Sequence, residues 1–208
     1  MKADAQTHSI DGSILKSIQA RRHASIFSGR DFQHLGPPTA IRKALERLVK
    51  EGALRRVRRG YYDRPRAHPI LGQTAPDPMD LIRGMMEKCG ARWQVSGAYA
   101  ANLLHISDQV PAKILVLTDV APRKVHLQKL VLDFRRASPR NLLGAGTAAG
   151  LVFQALRHLG KDHVNAEVLA RLKGNLDAAT RNDLIKITPL SPAWMRPILS
   201  QLTTPVYP

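Results

Sequence analysis

The sequence predicts an α+β chain: an N-terminal domain of three short helices closed by a β-hairpin, then a larger mixed α/β, mainly helical C-terminal domain. Three observations predict it. Apolar residues recur at helical spacing three times in the first 50 positions. Two short β-rich runs then flank Arg58-Arg59-Gly60. A Pro- and Gly-rich stretch, 67–78, separates this front section from a region that mixes helical patterns with buried-strand patterns. The expected domains are therefore 1–66, a linker over 67–78, and 79–208.

The first helix has Ile14, Leu15 and Ile18 on its apolar side, with Asp11 placed to cap it. Arg21, Arg22 and His23 follow at its end, where cations suit either the helix dipole or a phosphate contact. The second helix starts at Ser28, with Asp31 three residues on as a capping box, and closes at Gly36. Pro37 and Pro38 open the third, because their missing N–H groups would be unpaired there anyway. Ile41, Ala44, Leu45 and Leu48 form its apolar stripe, and Gly52 closes it. Strands 54–57 and 61–62 make the hairpin.

Behind the linker, helices are expected at 79–88 and 97–104, and buried strands at 114–117 and 131–134. A long helix is expected over 142–159, with others around Val168 and Leu184. Pro189, Pro192 and Pro197 break up the tail.

Charge narrows the function. Lys and Arg number 32 against 16 Asp and Glu, a formal net charge of +16. Residues 1–66 hold 15 cations against 6 anions, and the rest of the chain 17 against 10. Such an excess repels itself in a compact state and favours an anionic partner, of which the phosphate backbone is the commonest. Cys89 is the single cysteine, which excludes an internal disulfide framework and a cysteine-based zinc site and suits a reducing cytoplasm. Met1–Gln6 is followed by no apolar run, so no signal peptide is expected, and no apolar stretch is long enough to span a bilayer.

The polar face of the third helix carries the most information. Thr39, Arg42, Lys43, Glu46, Arg47 and Lys50 fall on one side, opposite the apolar stripe. Arg and Lys pair with guanine edges and phosphates, and Thr reaches a base or phosphate oxygen. A solvated helix face explains the same pattern about as well when it is taken alone. The hairpin adds Arg55, Arg56, Arg58 and Arg59, followed by Tyr61 and Tyr62, one of which is expected to pack on the core. Arg56 and Arg58 should point to one side of the strand and Arg55 to the other. Helix, helix, helix and basic hairpin, in that order, is the layout of a winged helix-turn-helix. Thr39, Arg42, Lys43 and Arg47 are then the expected major-groove residues, and Arg55, Arg56, Arg58 and Arg59 the wing contacts to the backbone.

No enzyme motif competes. The chain has no GxxxxGK[ST] loop and no GxSxG elbow. Gly144-Ala145-Gly146 lacks the third glycine of a dinucleotide fingerprint, and His158 and His163 read as surface histidines. Asp77 and Asp80 suit capping of the next helix, and Cys89 reads as an inert, partly buried thiol. The expectation is a non-enzyme without cofactor or metal.

At residue level, the N-terminal segment resembles the winged helix-turn-helix of the AbiEi-type antitoxins, transcriptional regulators of bacterial type IV toxin–antitoxin systems. The residues that carry this are Ser28–Phe32, Ala40–Leu48 and Gly52–Tyr62, above all the closing L-x-R-V-x-R-G-Y-Y stretch. The second domain is similar more loosely, through Val95–Leu104 and the strand at Ile114–Leu117. The resemblance implies a cytoplasmic autorepressor that binds inverted repeats of double-stranded DNA in its own promoter. It also implies an antitoxin that counters a nucleotidyltransferase-like toxin without a stable complex, and no membrane partner. Two alternatives stand beside it: a protein-interaction module docking on an acidic partner, and a ligand-sensing regulator with a pocket in the 97–117 region. RNA is a variant of the same phosphate chemistry.

Overall fold

In the computed structural model, residues 9–20, 26–65, 67–68, 72–73, 75–127 and 130–204 are described. The chain is a mixed α+β protein made of two compact units, Met1–Cys89 and Gly90–Pro208. Among the described residues, no helix is long and apolar enough to cross a membrane.

The first unit opens with α1 (Ile10–Ala20) and the short strand β1 (Ile26–Phe27). A 3-10 helix, Gly29–Leu35, and α2 (Pro38–Lys50) follow. Strands β2 (Arg55–Arg58) and β3 (Tyr61–Asp63) then pair, and β3 also takes β1, giving the antiparallel order β1-β3-β2. Strand β1 was not expected, because two residues are too few to show a period. Ser9, not Asp11, caps α1: its Oγ accepts from the Gly12 amide at 3.2 Å. The expected Ser28–Asp31 capping box is present on the 3-10 helix. Arg21, Arg22 and His23 lie outside the described residues.

A hydrophobic core packs α1, β1, the 3-10 helix, α2 and the hairpin together. Ile14 and Ile18 of α1, Phe27 of β1, Phe32, and Ile41, Ala44, Leu45 and Leu48 of α2 are buried with Leu54 and Tyr62. Each large side chain here contributes about 1.5–3 kcal/mol of transfer free energy. The expected apolar stripe of α2 is thus its buried face, and Tyr62 is the hairpin tyrosine that joins the core.

The stretch expected as a linker has paired backbone. Strands β4 (Ala67–His68) and β5 (Gly72–Gln73) form a small antiparallel ladder. Asp77 then caps α3 (Pro78–Glu87), accepting from the Met79 amide at 2.8 Å. The sequence placed this helix in the second domain, whereas the structure groups it with the first. The reason is close packing on β1: a Cβ at Gly84 would meet Ile26 at 3.4 Å. A glycine inside a helical pattern shows nothing of the neighbour it admits.

The second unit has β6 (Trp93–Ser96), α4 (Ala98–Leu103), β7 (Lys113–Thr118), β8 (Arg123–Leu127) and β9 (Leu130–Arg136). Its sheet order is β6-β7-β9-β8, with β7 and β9 parallel and the other pairs antiparallel. Strand β8 was missed because it carries polar residues on both sides, and β6 because only Trp93 and Val95 of its four residues are apolar. The predicted helix over 142–159 is shortened to α5 (Ala148–Leu159). Before it, Gly144 and Gly146 adopt φ of +64° and +82°, which breaks the helix into a turn. Helices α6 (Ala166–Asn175), α7 (Ala178–Ile187) and α8 (Arg196–Thr203) complete the unit. Pro197 lies in the first turn of α8, so it starts a helix in the tail where a break was expected. Phe153, Leu156, Leu172, Leu184, Leu199 and their neighbours form the helical core.

Candidate nucleic-acid interface

Three elements of the first unit converge on a groove of about 340 Å³. The 3-10 helix supplies Gly29, Arg30 and Gln33. Helix α2 supplies Pro38, Ile41, Arg42, Leu45 and Glu46. The hairpin supplies Arg56, Arg59, Gly60 and Tyr62. The floor is the outer edge of the buried core, because Ile41, Leu45 and Tyr62 belong to both. The rim carries four guanidinium groups and one carboxylate, Glu46.

Local sequence places each rim residue. Arg42 and Glu46 are one turn apart on α2, opposite the buried stripe. Gly60, at φ +80°, turns the chain between β2 and β3 and leaves Arg59 at the exposed tip. Arg30 lies on the 3-10 helix, directly before the Asp31 of the capping box. Among the described residues, Arg30, Arg42, Arg56 and Arg59 make no hydrogen bond to protein groups, and the closest carboxylate contact is Arg42 Nε to Glu46 at 4.0 Å.

The expected site residues divide into groups. Arg42, Arg56 and Arg59 meet at the groove. Thr39 and Lys43 are exposed on α2 outside its lining. Arg58 is half-buried on β2. Strand pairing slips between Arg56 and Arg58, so Val57 is an extra residue and simple alternation ends there.

Two residues have other occupations. Arg55 is paired directly across the ladder from Asp63, whose carboxylate it grips through Nε at 3.0 Å and through a second, shorter contact. Asp63 is 5% exposed, so this guanidinium neutralises a buried charge. Arg47 reaches back to Asp11 of α1, with contacts of 2.8 and 2.6 Å. It fastens α1 to α2. In both cases the partner lies on a different element, which is why a helical wheel or the alternation of a single strand does not reveal it.

Arg30 was missing from the expected site. Its only local signal is a cation at a helix start. Cys89 is exposed, not partly buried as expected.

In the second unit, two of the cations on the sheet are already paired. Asp133 is 4% exposed, and Lys113 and Arg135 both lie 3.0 Å from its Oδ2. Burial pushes the Asp133 carboxyl up, but these two cations outweigh it and hold it below the usual carboxylate range.

A family model described as a family of unknown function, DUF6088, matches residues 13–184. The chain is also similar to the crystal structure of the RV2827C protein from Mycobacterium tuberculosis, at 16% identity and a TM-score of 0.44, over 100% of this chain and 85% of that one. No curated protein matches it.

Proposed function

We propose that this chain, which belongs to the DUF6088 family, binds double-stranded DNA through its first unit. That unit is read as a winged helix-turn-helix, with α2 as the reading helix and the β2–β3 hairpin as the wing. The observation that carries the reading is the convergence of Arg30, Arg42, Arg56 and Arg59 from three elements onto one groove. The element order supports it: helix, short strand, helix, helix, then a hairpin whose second strand takes the first strand into its sheet. Cations that make no hydrogen bond to protein groups are free to displace counterions from phosphate.

In this reading Arg42 faces base edges, while Arg56, Arg59 and Arg30 hold the backbone. Arg47 and Arg55 support the frame. The biological role proposed is a cytoplasmic autorepressor of the type IV antitoxin kind, binding inverted repeats upstream of its own gene. The second unit counters the neighbouring toxin. The protein acts by binding and performs no chemistry of its own.

The test is a gel-shift titration of the full chain at physiological salt on the DNA upstream of its gene, against scrambled DNA of equal length. A preference of about a hundredfold or more is expected of a sequence-specific repressor. Equal, salt-sensitive binding to both duplexes overturns the reading role of α2.

A further inference from the structure

The exposed face of α2 carries a single carboxylate among its cations. Glu46 is 61% exposed and lines the groove with Arg42, Arg56 and Arg59. Among the described residues it accepts no hydrogen bond. Its nearest cation, Arg42 Nε at 4.0 Å, is beyond hydrogen-bonding distance. It lies in the interior of a helix running from Pro38 to Lys50, too far from the first turn to serve as a cap.

A negative charge there opposes the attraction that every neighbouring cation exerts on phosphate. On a surface built only for backbone binding it lowers affinity, and its i,i+4 pair with Arg42, both side chains mostly exposed, returns little. A duplex offers a carboxylate a favourable partner only at the donors on base edges. In the major groove, cytosine presents its N4 amino group. Adenine presents N6 beside the N7 acceptor, which repels a second negative oxygen.

We propose that Glu46 is a specificity-determining residue that accepts a hydrogen bond from a cytosine N4 amino group, while Arg42, one turn earlier, reads a guanine. The inference rests on the DNA-reading role of α2 proposed above. Four helical residues rise about 6 Å, and base pairs stack about 3.4 Å apart. The two reads therefore fall one or two base pairs from each other. Glu46 also rejects misplaced duplex, since any register that offers it a phosphate is repelled.

The experiment is selection from a random duplex library with the full chain, comparing wild type, Glu46→Gln and Glu46→Ala. Wild type is expected to enrich cytosine at one fixed position. Glu46→Gln should move that position to adenine, whose N6 and N7 an amide pairs with. Glu46→Ala should lose the preference there, about tenfold in relative affinity, and bind scrambled duplex more tightly. Because Glu46 is exposed, all three proteins should melt alike. One consensus shared by all three overturns the assignment to Glu46 and leaves the reading role of α2 intact. No consensus for wild type overturns both.

Discussion

Lys88 Nζ lies 2.9 Å from the Asp31 carboxylate and 5.1 Å from the centroid of the Tyr61 ring. One ammonium thus joins the end of α3, the capping box that starts the 3-10 helix, and the hairpin. Asp31 also accepts from the Ser28 amide at 2.6 Å. The groove residue Arg30 sits between these two partners in sequence, so its position depends on a contact made by a helix more than 45 residues away.

Lys88→Ala should destabilise the chain by about 1–2 kcal/mol, since the half-buried Asp31 carboxylate loses its cation. Urea denaturation would show a lower midpoint. A midpoint equal to wild type would mean that the contact contributes nothing.

Acid should act at the same place. Burial pushes the Asp31 carboxyl up, but the Lys88 ammonium 2.9 Å away and the Ser28 amide and hydroxyl together hold it below the usual carboxylate range. A carboxyl lowered on folding stabilises at all pH values above its unfolded pKa, and that stability is lost as the pH falls through the lowered folded value. Asp31→Asn should therefore reduce the melting temperature at neutral pH and flatten its decline in acid. Parallel curves for variant and wild type would contradict this.

Arg55 and Arg56 are adjacent and should respond oppositely. Arg55→Ala leaves the Asp63 carboxylate buried without its guanidinium and should cost about 3 kcal/mol of stability. Arg56→Ala should leave the melting temperature unchanged and weaken binding to all duplexes, lowering the salt slope by about one. Thermal melts and salt titrations of both variants separate the two roles.

Arg47 should prove to be a clamp. Its pair with Asp11 is exposed enough that either Arg47→Ala or Asp11→Asn should leave the melting temperature close to that of wild type. Both variants should keep operator preference, whereas Arg42→Ala should reduce it about tenfold. Loss of preference in Arg47→Ala together with retention in Asp11→Asn would return Arg47 to the reading face.

Gly150→Ala tests the turn ahead of α5. A Cβ there would lie 2.0 Å from the Gly144 carbonyl oxygen, inside any tolerable contact. The turn is further held by the Gly146 amide, which donates to Gln94 at 2.9 Å. The variant should lose several kcal/mol, roughly the upper range for overpacking, or fail to accumulate. A wild-type melting temperature would show that the turn can move aside.

By itself, the sequence determined the helices and hairpin of the first unit, because their signals are local. Helical spacing in Pro38–Lys50, the Ser28–Asp31 box and Gly60 each act within a few residues. The basic faces were legible for the same reason. Only tertiary structure decided which cations remain available. Asp11 is 36 residues from Arg47, and Asp63 faces Arg55 only through strand pairing. Likewise, α3 joined the first unit through Gly84 against Ile26 and Lys88 against Asp31. A charge's role depends on the counter-charge beside it in space, and spacing along the chain does not carry that information.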